Sequence, residues 1–246
     1  MDDSASQRHG QGANDHATAA HQRELDACLT TAKTLHQQGH FDAAKQLYLS
    51  LLNVHPEHFE ATRLLGVMAD QLGQFDIACD LLARTTERQP QNVEALYHHA
   101  LALQHAGRPD HAAPLYARAL TLAPNNAQIA ENLTVALLDT GQELAAIEAC
   151  EHALTLNAES ALAHSNLGKI YFNRGATKRA RHHFETLRAL CPALGAAHEK
   201  MATVQLREGD FARGFESYEW RFADDTSLKA SPPRHAAYPT WCGDDL

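Results

Sequence analysis

The sequence has no run of lysine and arginine. Its 21 basic residues are outnumbered by 30 acidic ones, for a formal charge of −9. Phosphate contacts need a basic stripe, so this balance argues against a nucleic-acid partner. The short cluster Lys178, Arg179, Arg181 reads as a solvated helix face. No apolar stretch approaches the length of a membrane span, so no membrane partner is expected. The acidic start, with Asp2 and Asp3, lacks the basic-then-apolar pattern of a secretory signal. The five cysteines, at 28, 79, 150, 191 and 242, are odd in number and include no Cys-x-x-Cys pair. Cys28, Cys79 and Cys150 read as reduced core thiols, which suits a cytoplasmic protein.

Catalytic signals are equally scarce. There is no phosphate-cradling glycine loop, no nucleophile motif and no paired carboxylates, so this chain alone is not expected to be an enzyme or to hold a cofactor. Histidine is abundant, 17 in all, but the spacing does not favour a metal. His36 and His40 flank Gly39 at a helix end. The adjacent pairs His98–His99 and His182–His183 point apart on a helix, and no carboxylate or cysteine completes a ligand set nearby.

What the sequence does have is a beat. Gly39, Gly73, Gly107, Gly141, Gly175 and Gly209 recur every 34 residues, and a fixed period of that size signals a repeat architecture. Five positions after each glycine the residue is small: Ala44, Ala78, Ala112, Ala146, Ala180, Gly214. Four further on stand Tyr48, Leu82, Tyr116, Cys150, Phe184 and Tyr218. Seven before each glycine come Ala32, Gly66, Ala100, Thr134, Gly168 and Ala202. The pattern predicts two helices of about a dozen residues per unit, with the glycine reversing the chain in a left-handed conformation. Small residues on the two helices let the backbones approach, and the larger group at the next turn fills the gap. Pro56, Pro90, Pro124 and Pro192 close most units.

These positions resemble the tetratricopeptide repeat. In the fifth unit His164, Leu167, Gly168, Tyr171, Gly175, Ala180, Phe184 and Pro192 follow the family pattern, with His164 in place of its usual tryptophan. Six units fit, starting near Leu25, Phe59, Val93, Ala127, Ala161 and Gly195. The resemblance implies an all-α, right-handed superhelical solenoid over 19–222 that binds protein. Three positions depart from it. Ala158 stands where a closing proline is expected, and Thr134 where a small residue is. Pro114 lies inside a second helix, which it should bend or start late.

Residues 1–18 are polar and aperiodic, and read as a disordered tail. At the other end Phe211, Phe215, Tyr218, Trp220 and Phe222 crowd one helix, followed by a segment at 223–246 containing Pro232, Pro233 and Pro239. A terminal repeat exposes the face meant for a neighbour unless something covers it. Phe215, Tyr218, Trp220, Phe222 and Trp241 are therefore candidate interface residues. They could meet a folded-back tail docking Tyr238 and Trp241, a second copy in a homodimer, or a further C-terminal domain. Gly209 to Phe215, Tyr218 to Phe222 and Pro239-Thr240-Trp241-Cys242-Gly243 resemble the junction in bacterial repeat proteins that continue into a glycosyltransferase-like domain. Those proteins are related to O-linked N-acetylglucosamine transferases and heptosyltransferases. The resemblance implies a substrate-recruiting or oligomerising arm whose transferase domain lies beyond Leu246.

The inner face is the candidate binding site. Two residues before each small residue of the first helices come Thr30, Leu64, His98, Asn132, Asn166 and Lys200. In the O-linked N-acetylglucosamine transferases an asparagine ladder at this position holds an extended polypeptide, and an amide offers a peptide unit both donor and acceptor. Asn132 and Asn166 match it, with His98, His105, Asp139, Lys169, Asn173 and Arg207 as flanking groove residues. The Lys and Asn pattern by which co-chaperone repeats clamp a carboxylate is not present, since Glu131 and Val135 occupy two of its positions.

Overall fold

The computed structural model describes residues 23–220. The polar tail, Phe222, Tyr238, Trp241, Cys242 and the 223–246 segment lie outside the described residues. The described chain is all helix and turn, in two compact units divided between Leu122 and Ala123.

The first unit holds α1 (described over 23–37), α2 (Phe41–Val54), α3 (Phe59–Gln71), α4 (Phe75–Arg88), α5 (Val93–His105) and α6 (Pro109–Leu122). The second holds α7 (Ala127–Asp139), α8 (Glu143–Leu156), α9 (Ala161–Asn173), α10 (Thr177–Leu190), α11 (Gly195–Arg207) and α12 (Phe211–Glu219). Within each unit consecutive helices pack as antiparallel hairpins, and α3 also meets α5, as α9 meets α7 and α11.

All six repeating glycines have positive φ, from 71° to 82°. The residue after each donates its N–H to the carbonyl five residues back, at 2.8–3.0 Å. This closes the first helix and reverses the chain. The second helices start without a side-chain cap at His40, Gln74, Gln142 and Ala176. Four first helices carry a side-chain cap instead: His58, Asn92, Asn126 and Ser160 each accept the N–H three residues on, while α11 has none at Leu194 and the second helix α12 has one at Asp210.

The small positions do more than let backbones approach. They receive the large residue of the second helix directly. A Cβ on Gly66 would lie 2.7 Å from Leu82 Cγ, and one on Gly168 would lie 2.3 Å from Phe184 Cε1. Tyr48, Leu82, Tyr116 and Cys150 are all fully buried. Thr134, larger than its counterparts, faces the smaller Cys150, and it donates Oγ1–H to Ala130 O at 3.0 Å. The departure at Thr134 is thus matched on the facing helix.

The other two departures resolve locally. α6 starts at Pro109, in register with the other second helices, and continues through Pro114, so its start is not delayed. Pro114 itself has no N–H to give to the ladder. α8 ends at Leu156 without a proline, because Asn157 Oδ1 accepts the Glu159 N–H at 3.1 Å and turns the chain there.

Candidate functional site

In the second unit Asn132 and Asn166 stand on α7 and α9, which pack on each other, and both side chains are half-buried. Asn166 Nδ2 is buried with no hydrogen-bond partner. A buried amide donor left unsatisfied costs about 1–3 kcal/mol, so the position is not there for stability. Lys169, Asp139 and Asn173 are exposed on the same helices. Arg207 is committed elsewhere. Its guanidinium lies 3.6 Å above the Phe172 ring, and Nη1–H donates to Phe172 O at 2.5 Å.

In the first unit His98 is half-buried on α5, and burial together with the nearby Arg63 charge holds its pKa below the ordinary imidazole range. His105 is exposed, and its Nδ1–H donates to the Asp70 carboxylate at 2.8 Å. His36 meets Gln71 Oε1 at 2.8 Å. These ties and Arg207–Phe172 share a spacing of 35 residues. The last turn of one first helix is fastened to the equivalent turn of its neighbour. His105 and Arg207, two of the flanking groove positions, thus also tie neighbouring repeats together.

An ion chain outside the expected groove residues crosses the first helices of this unit. Lys33 Nζ lies 2.9 Å from Glu60 Oε1, Arg63 grips Glu60 through Nε and Nη2 at 2.9 Å each, and Glu94 Oε2 meets Nη2 at 3.2 Å. Burial alone would raise the Glu60 pKa, but hydrogen bonds from Arg63 and Lys33 outweigh it and hold the carboxyl at about 2. The available signal was the recurrence of acid at one register position, Asp26, Glu60 and Glu94.

Histidine replaces the family's tryptophan while keeping its ring N–H in use. His164 Nε2–H donates to Ala158 O at 3.1 Å, and 34 residues on His198 Nε2–H donates to Pro192 O at 2.8 Å. The His164 Nδ1 lies 3.0 Å from Nδ1 of His183, which stacks on Tyr171. At the far edge Trp220 stacks on His198, with centroids 4.1 Å apart and planes at 9°. Trp220 and Phe215 are nonetheless 42% and 39% exposed, Phe211 is exposed beside them, and Tyr218 is half-buried. Among the described residues there is no cluster of three metal-ligating side chains, and no helix is long and apolar enough to cross a membrane.

The tetratricopeptide repeat family model matches residues 29–78 and 69–127. No curated protein matches the sequence. Solved structures resemble it at low identity. A MamA crystal structure shares 20% identity over 72% of this chain and 97% of its own, with a TM-score of 0.64. Pseudomonas aeruginosa pilF shares 17% over 85% and 92%, at 0.69. A tetratricopeptide repeat protein from Parabacteroides merdae shares 16% over 80% and 78%, at 0.70. At these identities the likeness is one of fold. Repeat sequence and hairpin packing agree: residues 29–127 match the tetratricopeptide repeat, and the described helices have the all-α fold of tetratricopeptide-repeat structures.

Proposed function

We propose that this protein is an interaction module that binds an extended polypeptide along the inner face of its second unit, with Asn132 and Asn166 contacting the peptide backbone. The unsatisfied Asn166 Nδ2 carries this assignment: turned outwards about its side-chain torsions, the amide would give a ligand carbonyl the donor that the fold leaves unpaired. Lys169, Asp139 and Asn173 flank it as exposed polar groups. The test is a peptide selected from a random library on the intact chain, then titrated against Asn132→Ala combined with Asn166→Ala. Weakened binding by a folded double variant is expected. Unchanged affinity removes the asparagines from the site.

A second role concerns the C-terminal edge. Exposed Phe211, Phe215 and Trp220 support an interface there, with a second copy or with a following domain as its occupant. The resemblance of Gly209 to Trp220 to a transferase junction supports the role of recruiting or oligomerising arm in a glycosyltransferase-like protein. Sedimentation of the wild-type chain and of Trp220→Asp tests self-association: a dimer that the variant dissolves is expected, and a monomer throughout leaves the edge to another domain. Purified chain incubated with a uridine-diphosphate sugar should give no transfer.

A further inference from the structure

We propose that His164 and His183, on α9 and α10 of the second unit, form a copper(II) site, with their Nδ1 atoms as the two protein ligands and water completing the coordination. An ion there cross-links the two helices of the fifth hairpin. The site uses neither asparagine of the proposed groove and is tested without a peptide.

The two rings are already placed as ligands. His164 spends its N–H on Ala158 O at 3.1 Å, so its Nδ1 carries a lone pair and no hydrogen. A backbone carbonyl holding the far ring nitrogen is the arrangement that orients a metal-bound imidazole. Nδ1 of His183 faces that lone pair at 3.0 Å. Its ring is steadied by stacking on Tyr171, with planes 13° apart. Without metal, the single N–H of neutral His183 lies between the two nitrogens. An ion takes its place when that proton moves to His183 Nε2, so no proton is lost.

The separation selects the metal. Two nitrogens 3.0 Å apart both reach an ion at about 2.0–2.1 Å with an angle of about 95° between the bonds. Tetragonal copper(II) takes an angle near that, whereas tetrahedral zinc needs its ligands further apart. Copper(II) also heads the affinity order of the divalent first-row ions.

Packing does not call for the pair. At the equivalent positions the first four hairpins carry Cys28 with Leu47, Thr62 with Leu81, Leu96 with Leu115 and Ala130 with Ala149. None of them uses an imidazole. His164 is only 7% exposed, while His183 is half-buried and leaves the pair a side open to water. The two ligands sit 19 residues apart on different helices, which is why local spacing in the sequence gave no metal signal.

The test titrates copper(II) into the intact chain, stripped with chelator and held in excess glycine to out-compete single surface histidines. Pulsed electron paramagnetic resonance then counts the imidazoles on the first equivalent bound: two are expected in the wild type and one in His183→Gln. His164→Leu combined with His183→Leu copies the Leu96–Leu115 pair of the third hairpin and should fold. It should bind the first equivalent at least about ten-fold more weakly, since losing even an outer-shell partner of a metal site costs that much. His182→Gln should bind as the wild type does, and zinc should bind more weakly than copper. A single imidazole on the first equivalent in the wild type, a double variant that binds copper as tightly, or a preference for zinc overturns the proposal.

Discussion

The Phe184 ring occupies the space that a Cβ on Gly168 would need, with Cε1 2.3 Å and Cδ1 2.5 Å from its ideal position. The fifth hairpin closes only because Gly168 has no side chain. Gly168→Ala should therefore destabilise the protein by about 1–3 kcal/mol through overpacking, less the roughly 1 kcal/mol by which alanine favours a helix. Gly66→Ala should be milder, because the branched Leu82 can turn away where a buried ring cannot. Urea melts of the two variants check the order; equal midpoints would show that the ring is not held against the glycine.

Gly107 poses a different constraint. Nothing lies within 4 Å of its Cβ position, yet its φ is +71°. Gly107→Ala should lose about 1–2 kcal/mol from backbone strain alone, and Gly107→Asn less, since asparagine tolerates this region. Thermal melts of both variants distinguish strain from packing. An alanine variant as stable as wild type would contradict the left-handed turn.

Thr134 and Cys150 form a size-matched pair where the preceding hairpin uses Ala100 with Tyr116 and the following one Gly168 with Phe184. Cys150→Tyr alone should be strongly destabilising, and Thr134→Ala alone should lose about 1 kcal/mol to a void. Together they should recover part of both losses, a coupling that a double-mutant cycle measures. Burial also pushes the Cys150 thiol up to about 11, against a smaller opposing effect of the Thr134 hydrogen bond. It should resist alkylation at neutral pH while half-buried Cys28 and Cys191 react first.

Acid should weaken the two units in separate pH windows. Burial, and then the neighbouring His164 and His182 charges, pushes His183 in the second unit down to about 4 from an ordinary 6.5. The folded state resists protonating it, so stability is full above 6.5 and falls as pH drops towards 4. After discounting for partial exposure the loss is on the order of 1–2 kcal/mol. Glu60 in the first unit is held at about 2 against an ordinary 4.5. Its contribution is present above 4.5 and is lost as pH falls towards 2. Hydrogen exchange followed by mass spectrometry at descending pH should show α9 and α10 loosening before α1 and α3. His183→Gln should flatten the first phase; simultaneous loosening in both units would contradict the assignment.

The hairpins were legible because turn and packing each demand a residue type at one place per repeat. Six glycines at positive φ and a row of small residues leave a period that no other constraint disturbs. Inter-repeat ties were harder to see. His105–Asp70 and Arg207–Phe172 pair residues 35 apart, one step off the repeat, and their chemistry differs at every step. Groove positions read from register alone therefore included side chains already engaged. The Lys33–Glu60–Arg63–Glu94 chain was hidden for a similar reason. It is built from three helices and one short-range pair, and only burial of Arg63 distinguishes it from surface charge.

Asn166 offers the most direct measurement, because binding and stability should respond to it in opposite directions. With its buried amide donor unsatisfied, Asn166→Ala removes an energetic penalty and inserts the best helix former. Thermal melting and titration with the library-selected peptide, on the same preparation, should give an unchanged or higher Tm together with weaker binding. A lower Tm with undiminished affinity would contradict the account, since it would make Asn166 a packing residue and leave the inner face without its anchor.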